Sequence, residues 1–521
     1  MPTTELERPA PEAEQPAPPP PSGNRSQPGK KIAKNAGVLM ASQLLTWGLA
    51  ILVTIYVPRY LGREGIGILG LAESIWAIMA TFVSFGMDVL LAKEIARKPE
   101  RLEQFFGTQI VTRLLLMVVF FAATIVYVNL RHFAPVVITV VIIYGIVEFF
   151  AQMARICRAS LQGLEEMQYI SLADIVSKAV LTVLLLTLLA LGYGVVQVAL
   201  AAILGGMTSF AVQLWPLRRT GRLKLNFDPQ LAIWMLRQSI PYLLSLVLLT
   251  VYTNIDIQML EWLTDLETIG LYNVSVRLFG TFLFVPNVFV TAVFPAISRM
   301  YASEEDGLPK LLGKSYDLLL VLSIPIGLGL MAVAGPILNL LYPSGEFSGS
   351  TPILAGFGIV LILTYLNTLM GKFLIATDRQ NSWTVLMAIG VIVTFPLDLV
   401  LIPYFAENFG NGGIGGVVAF GVTEGIMLVA GHWLLPRGSL SKANAWVAVR
   451  ALVAGILMVA AVWMVREWFV FFQIAVGALV YLGVILLLRV IPAEDMAIGR
   501  EYGLLALAKV RGRLARPARQ L

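Results

Sequence analysis

The chain has 521 residues, of which 58% are hydrophobic and only 13% charged, with a formal net charge of +6. Soluble domains carry about 25% charged residues, so most of this chain is expected in lipid. Its basic residues are scattered over short loops, which suits membrane anchoring rather than nucleic acid. A single cysteine, Cys157, excludes an intrachain disulfide framework and a Cys-rich metal site. The two histidines, His132 and His432, stand far apart, so no metal or cofactor is expected.

Residues 1–29 are rich in Pro, Glu and Gln and have almost nothing to bury, so they are expected to form a disordered cytoplasmic tail. Fourteen stretches then meet the requirement of about 20 mostly apolar residues for a membrane-crossing helix. They are 35–57, 66–91, 105–128, 134–156, 168–190, 194–217, 240–263, 270–295, 316–341, 351–375, 383–403, 414–435, 446–465 and 468–488. Alternate loops collect the cations, among them Lys93, Arg97, Lys98 and Arg101, then Arg218, Arg219, Arg222 and Lys224. By the positive-inside rule an even number of spans then puts both termini in the cytoplasm. The tail 491–521 is basic and has an amphipathic pattern suited to lying along the inner leaflet. All outer loops are short, which weighs against an enzyme working on extracytoplasmic substrates, and no catalytic constellation is present.

Two copies of a six-span unit follow one another, 30–225 and 226–440, with two further spans in 441–490. Ile66-Gly67-Ile68 at the start of span 2 corresponds to Ile269-Gly270-Leu271 at the start of span 8. Gly192-Tyr193-Gly194-Val195 before span 6 corresponds to Gly413-Ile414-Gly415-Gly416 before span 12. The expected fold is therefore an all-α polytopic membrane protein of two six-helix lobes related by a pseudo-two-fold, plus two C-terminal helices. Transporters with parallel repeats place substrate between the halves and alternate access to it.

The turn Pro58-Arg59-Tyr60-Leu61-Gly62-Arg63-Glu64-Gly65-Ile66-Gly67 resembles that of bacterial polysaccharide exporters in the multidrug/oligosaccharidyl-lipid/polysaccharide superfamily. Tyr252-Thr253-Asn254-Ile255-Asp256, Gly270-Leu271-Tyr272-Asn273 and Phe294-Pro295-Ala296-Ile297 are similar to the centre of that family, and the likeness runs from about 32 to 490. The resemblance implies a flippase that carries undecaprenyl-diphosphate-linked oligosaccharide from the inner to the outer leaflet of a bacterial cytoplasmic membrane, around a central cationic cavity. It implies membrane lipids, and a polysaccharide polymerase or glycosyltransferases, as partners. A peptidoglycan lipid-precursor flippase and an ion-coupled drug or small-molecule antiporter are the alternatives.

The charges inside the spans are the candidate site, because an ion in hydrocarbon is expensive and by default marks a pathway or a pair. Arg277 suits a diphosphate through its planar fork. Asp256, at similar depth on the preceding span, is its expected ion-pair partner. Lys178 is a second phosphate ligand or a local partner of Asp174, four residues earlier on the same face. Arg158 and Lys372, near the inner ends of corresponding helices, serve the cavity or snorkel to the interface. Arg59 receives the head group on exit or touches lipid headgroups, and Arg113 is expected at the interface. Glu148, Glu424 and Asp256 are candidates for coupling to an ion, or for closing helix–helix hydrogen bonds. Gly307 to Ser315 imitates a nucleotide-binding loop but has five residues between its glycines where the motif needs four.

Overall fold

The computed structural model describes residues 28–219, 226–305, 307–436 and 438–490. The tail 1–29, apart from its last two residues, and the basic tail 491–521 lie outside the described residues. These hold fifteen α-helices and no strand. In chain order they are α1 (Pro28–Ser84), α2 (Met87–Arg97), α3 (Leu102–Leu130), α4 (Pro135–Gly163), α5 (Met167–Ala190), α6 (Val195–Arg219), α7 (Pro229–Leu263) and α8 (Leu266–Phe282). There follow α9 (Phe284–Ala302), α10 (Leu308–Leu341), α11 (Ser350–Ala376), α12 (Gln380–Phe409), α13 (Gly412–His432), α14 (Lys442–Met464) and α15 (Val470–Leu487).

Thirteen helical stretches are long and apolar enough to cross a membrane, where fourteen spans were expected. The difference is α1, whose apolar part, Leu45–Ser84, is 40 residues long and so twice the length one crossing needs. Gly62 breaks it with φ 66° and ψ −177°, a left-handed value that glycine adopts without a Cβ clash. Partners on other helices show that the chain reverses there. Before the break Trp47 packs edge-on against Phe284 at 3.7 Å, and Arg59 donates to the Leu341 carbonyl at the end of α10. After it Gly67 meets Leu266, and Glu73 meets Arg277 farther along α8. Thus α1 supplies two crossings.

Helix ends are set locally. Asp228 caps α7 by accepting from Gln230 and Leu231 backbone N–H groups, with Pro229 at the first helical position. Asp265 does the same for α8 through Thr268, and Ser441 with Asn444 forms a capping box on α14. Helices α4, α5 and α6 pack against one another and against α1. Helices α10 to α13 do likewise, with α12 against α7, and α14 and α15 pair beside α10. The first turns of α7 add Met235 to an apolar cluster with Met87, Phe105 and Ile156 of the first group.

The internal repeat appears as contact. A Cβ on Gly67 would sit 1.9 Å from the Leu266 carbonyl oxygen, and a Cβ on Gly270 would sit 1.9 Å from the Arg63 carbonyl oxygen. The sequence offset that carries Gly67 to Gly270 also carries Arg63 to Leu266, so each contact is the image of the other. Gly70 and Asn273, related in the same way, also touch. The second arm of α1 and helix α8 therefore cross on a local two-fold. Arg63 and Glu267 form an exposed ion pair at 3.0 Å beside the crossing.

Candidate functional site

One turn to two turns below that crossing, the two helix groups share a polar cavity of about 320 Å³. Helix α8 brings Arg277 to it, α1 brings Glu73, α4 brings Tyr144 and α5 brings Lys178. Arg277 donates from Nη2 to Glu73 at 2.6 Å and from Nε to Asn273 Oδ1 at 2.7 Å, while Tyr144 donates to the other Glu73 oxygen at 3.0 Å. Lys178 pairs with no carboxylate among the described residues, yet lies close enough for the charges of Arg277 and Glu73 to act on it. Two cations thus face one carboxylate, and the remaining walls are mostly aliphatic, with Val53, Leu69 and Leu181 among them.

The expected Arg277–Asp256 pair is not formed. Asp256 points into the second helix group, where it accepts from Tyr272 at 2.5 Å and comes within hydrogen-bonding reach of Asp398 on α12. Asp398 is fully buried. Neither of its carboxylate oxygens meets a donor, and nor does Oδ1 of Asp256. Buried polar atoms ordinarily find partners, and two facing carboxylates leave a natural place for a positive charge. Nearby, Glu424 is satisfied on both oxygens, by Tyr252 at 2.6 Å and Asn367 at 2.6 Å. Of the three acidic residues singled out by sequence, Glu424 therefore closes a helix–helix network and Glu148 pairs with Arg155. Of the three, Asp256 alone keeps a buried oxygen with no partner, and neither its neighbour Asp398 nor Glu73 was among the candidates.

The remaining candidates divide. Asp174 pairs with Arg158 rather than with Lys178, because α4 and α5 lean together at that level. Lys372 is exposed near the end of α11 and does not line the Arg277 cavity. Arg59 is held by the Leu340 and Leu341 carbonyls and lies over the Tyr56 ring at 5.5 Å, which ties α1 to α10. Arg113 is not interfacial but fully buried. It bonds Asp88 Oδ1 at 2.6 Å and the Gln152 carbonyl at 3.1 Å, because α2, α3 and α4 converge around it.

These features define a class, a polytopic helical membrane protein whose two repeat-related helix groups meet around ions that line a cavity. Residues 32–301, more than half of the chain, match the family model described as polysaccharide biosynthesis protein. The chain belongs to that family. It is 21% identical over 360 residues to a putative O-antigen transporter of Shigella dysenteriae, an alignment covering 67% of this chain and 88% of that one. The lipid II flippase MurJ in an inward closed conformation superposes with a TM-score of 0.72 at 14% identity, covering 88% of this chain and 99% of that one. An inward-facing multidrug resistance MATE transporter of the MOP superfamily gives 0.61 at 15% identity, covering 75% and 94%. The fold is that shared by these transporters.

Proposed function

We propose that this protein flips undecaprenyl-diphosphate-linked oligosaccharide from the inner to the outer leaflet of a bacterial cytoplasmic membrane by alternating access, with both termini in the cytoplasm. The observation that carries this reading is the convergence of Arg277 and Lys178, one from each helix group, on a cavity with a single carboxylate. A diphosphate cannot cross hydrocarbon uncompensated. The Arg277 guanidinium offers it two parallel donors, and Lys178 a point charge. Glu73 holds Arg277 when no substrate is present, so an arriving diphosphate exchanges for a carboxylate instead of meeting a bare buried cation. The Asp256–Asp398 pair supports coupling to a proton or a small monovalent cation, which would supply the positive charge that its unpartnered oxygens lack. Polymerases or glycosyltransferases of polysaccharide assembly would act on either side of this step.

The test reconstitutes the protein in vesicles with labelled undecaprenyl-diphosphate oligosaccharide and follows its appearance in the outer leaflet. Arg277→Ala should slow movement by about tenfold or more, since a hydrogen bond to a charged group is worth about 1.5–3 kcal/mol. Arg277→Lys should retain more activity. Full activity of the alanine variant would reduce Arg277 to a structural role. Movement of peptidoglycan precursor in preference, or drug efflux without lipid movement, would replace the substrate assignment.

A further inference from the structure

The helix face that carries Tyr144 on α4 and Lys178 on α5 does not stop at the Arg277 cavity. Ala151, Ala154, Arg155, Arg158 and Gln162 continue it along α4 at helical spacing, Asp174 along α5, and Ser209 and Gln213 along α6. Together they line a second cavity of about 430 Å³, within the range of about 300–1,000 Å³ typical of small-ligand sites. The two cavities share Gly206, and Asp174 lies one turn from Lys178, ~6 Å of helical rise. They form one groove that runs from the ion pair toward the α4–α5 turn, the cytoplasmic end on the proposed topology.

The chemistry changes along this groove. The first cavity has two cations against one carboxylate. In the second, Arg158 is balanced by Asp174 within the wall itself and Arg155 by Glu148 beside it, while Asp88, also in the wall, is paired with Arg113 behind it. A phosphate offers only acceptors and asks for donors. Sugar hydroxyls both donate and accept, and so match a wall of guanidinium, carboxylate, amide and hydroxyl groups. Two wall atoms are buried with nothing to bond, Oε1 of Gln213 and Nε of Arg158. Gln213 is otherwise held by Ser209 at 2.9 Å and is only 2% exposed. Alanines and Gly206 keep side-chain bulk out of the same wall.

The geometry points to a glycan subsite between α4, α5 and α6. It would bind the first neutral sugars of a lipid-linked saccharide whose diphosphate rests at Arg277 and Lys178. This deepens the flippase reading and rests on it. The subsite makes the first helix group the reader of the sugar and the shared cavity the reader of the phosphate.

Two variants, Gln213→Leu, which removes the amide at nearly constant volume, and Ser209→Leu, which fills the groove, test the assignment in vesicles against two lipids. One carries undecaprenyl diphosphate with a neutral tetrasaccharide, the other with a single hexose. In both variants the rate for the tetrasaccharide lipid, taken relative to the single-hexose lipid, should fall about tenfold, whereas Arg277→Ala should slow the two lipids alike. Equal losses on both lipids, or no loss, in variants that elute and melt like the parent would overturn the subsite. Binding of the lipid-free tetrasaccharide, followed by saturation-transfer NMR in detergent, separates the two readings. A signal in the parent that both variants lose supports the subsite even if no lipid is flipped. Absence of that signal from the parent overturns it, and failure of the parent to move either lipid overturns the flippase reading.

Discussion

The two repeat-related helix groups bury charge in opposite ways. In the first, three arginines are met by carboxylates of their own group, Arg113 by Asp88, Arg155 by Glu148 and Arg158 by Asp174, and Lys178 stands apart from them in the shared cavity. In the second, Asp256 and Asp398 face each other with three oxygens unpartnered, and no cation pairs with either among the described residues. One fold carried twice has thus produced a neutral polar wall and a negative pocket. Removing a partner from a satisfied buried pair leaves a bare charge, whereas neutralising one of two opposed charges relieves repulsion. The arginine pairs of the first group should therefore lose stability on substitution, and the Asp256–Asp398 pair of the second should lose function.

Three measurements bear on that contrast, taken in order of expected effect on stability. Arg113→Met, which leaves the half-buried Asp88 without its partner, should cost about 1.5–3 kcal/mol in thermal or denaturant unfolding in detergent. Adding Asp88→Leu to the same protein should recover most of the loss. A single variant as stable as the parent would show that the pair is not held as described. Gly67→Ala drives a methyl group into the Leu266 backbone and should cost about 1–3 kcal/mol through strain at the crossing. An unchanged melting temperature would mean the two helices separate at no cost. Asp398→Asn should leave stability within about 1 kcal/mol or raise it, since its amide supplies a donor where Asp256 Oδ1 has none. Its transport should cease to respond to an imposed proton or sodium gradient. A large loss of stability instead would place the aspartate with the structural pairs of the first group.

Much of the fold can be read from the chain because hydropathy acts locally. Twenty apolar residues form a crossing wherever they occur, and the reversal at Gly62 is marked by Pro58, two arginines and three glycines within ten residues. The repeat was legible too, since Gly67 and Gly270 share their neighbours in sequence before they share a contact in space. The ion partners were not. Sequence spacing offers Asp174 to Lys178, one turn apart, and Asp256 to Arg277, at similar depth on consecutive spans. Packing gives Asp174 to Arg158 and Arg277 to Glu73, because helix tilt and rotation are set by neighbours remote in sequence. Asp398 was visible as a charge in a span, but its relation to Asp256 exists only once α7 and α12 pack. Arg113 looks interfacial on its own helix and is fully enclosed once α2 and α4 close over it.

The crossing of α1 and α8 has an energetic consequence of its own. Backbone lies on backbone at Gly67 and Gly270, which brings the flanking Ile66, Ile68 and Leu69 and Ile269 and Leu271 into one buried core. At about 25 cal/mol per Å², burial of these side chains carries most of the contact's energy. The exposed Arg63–Glu267 pair adds roughly 0.2–1 kcal/mol. The glycines set how near the two helices come, so the grip of the crossing is adjusted one methyl group at a time.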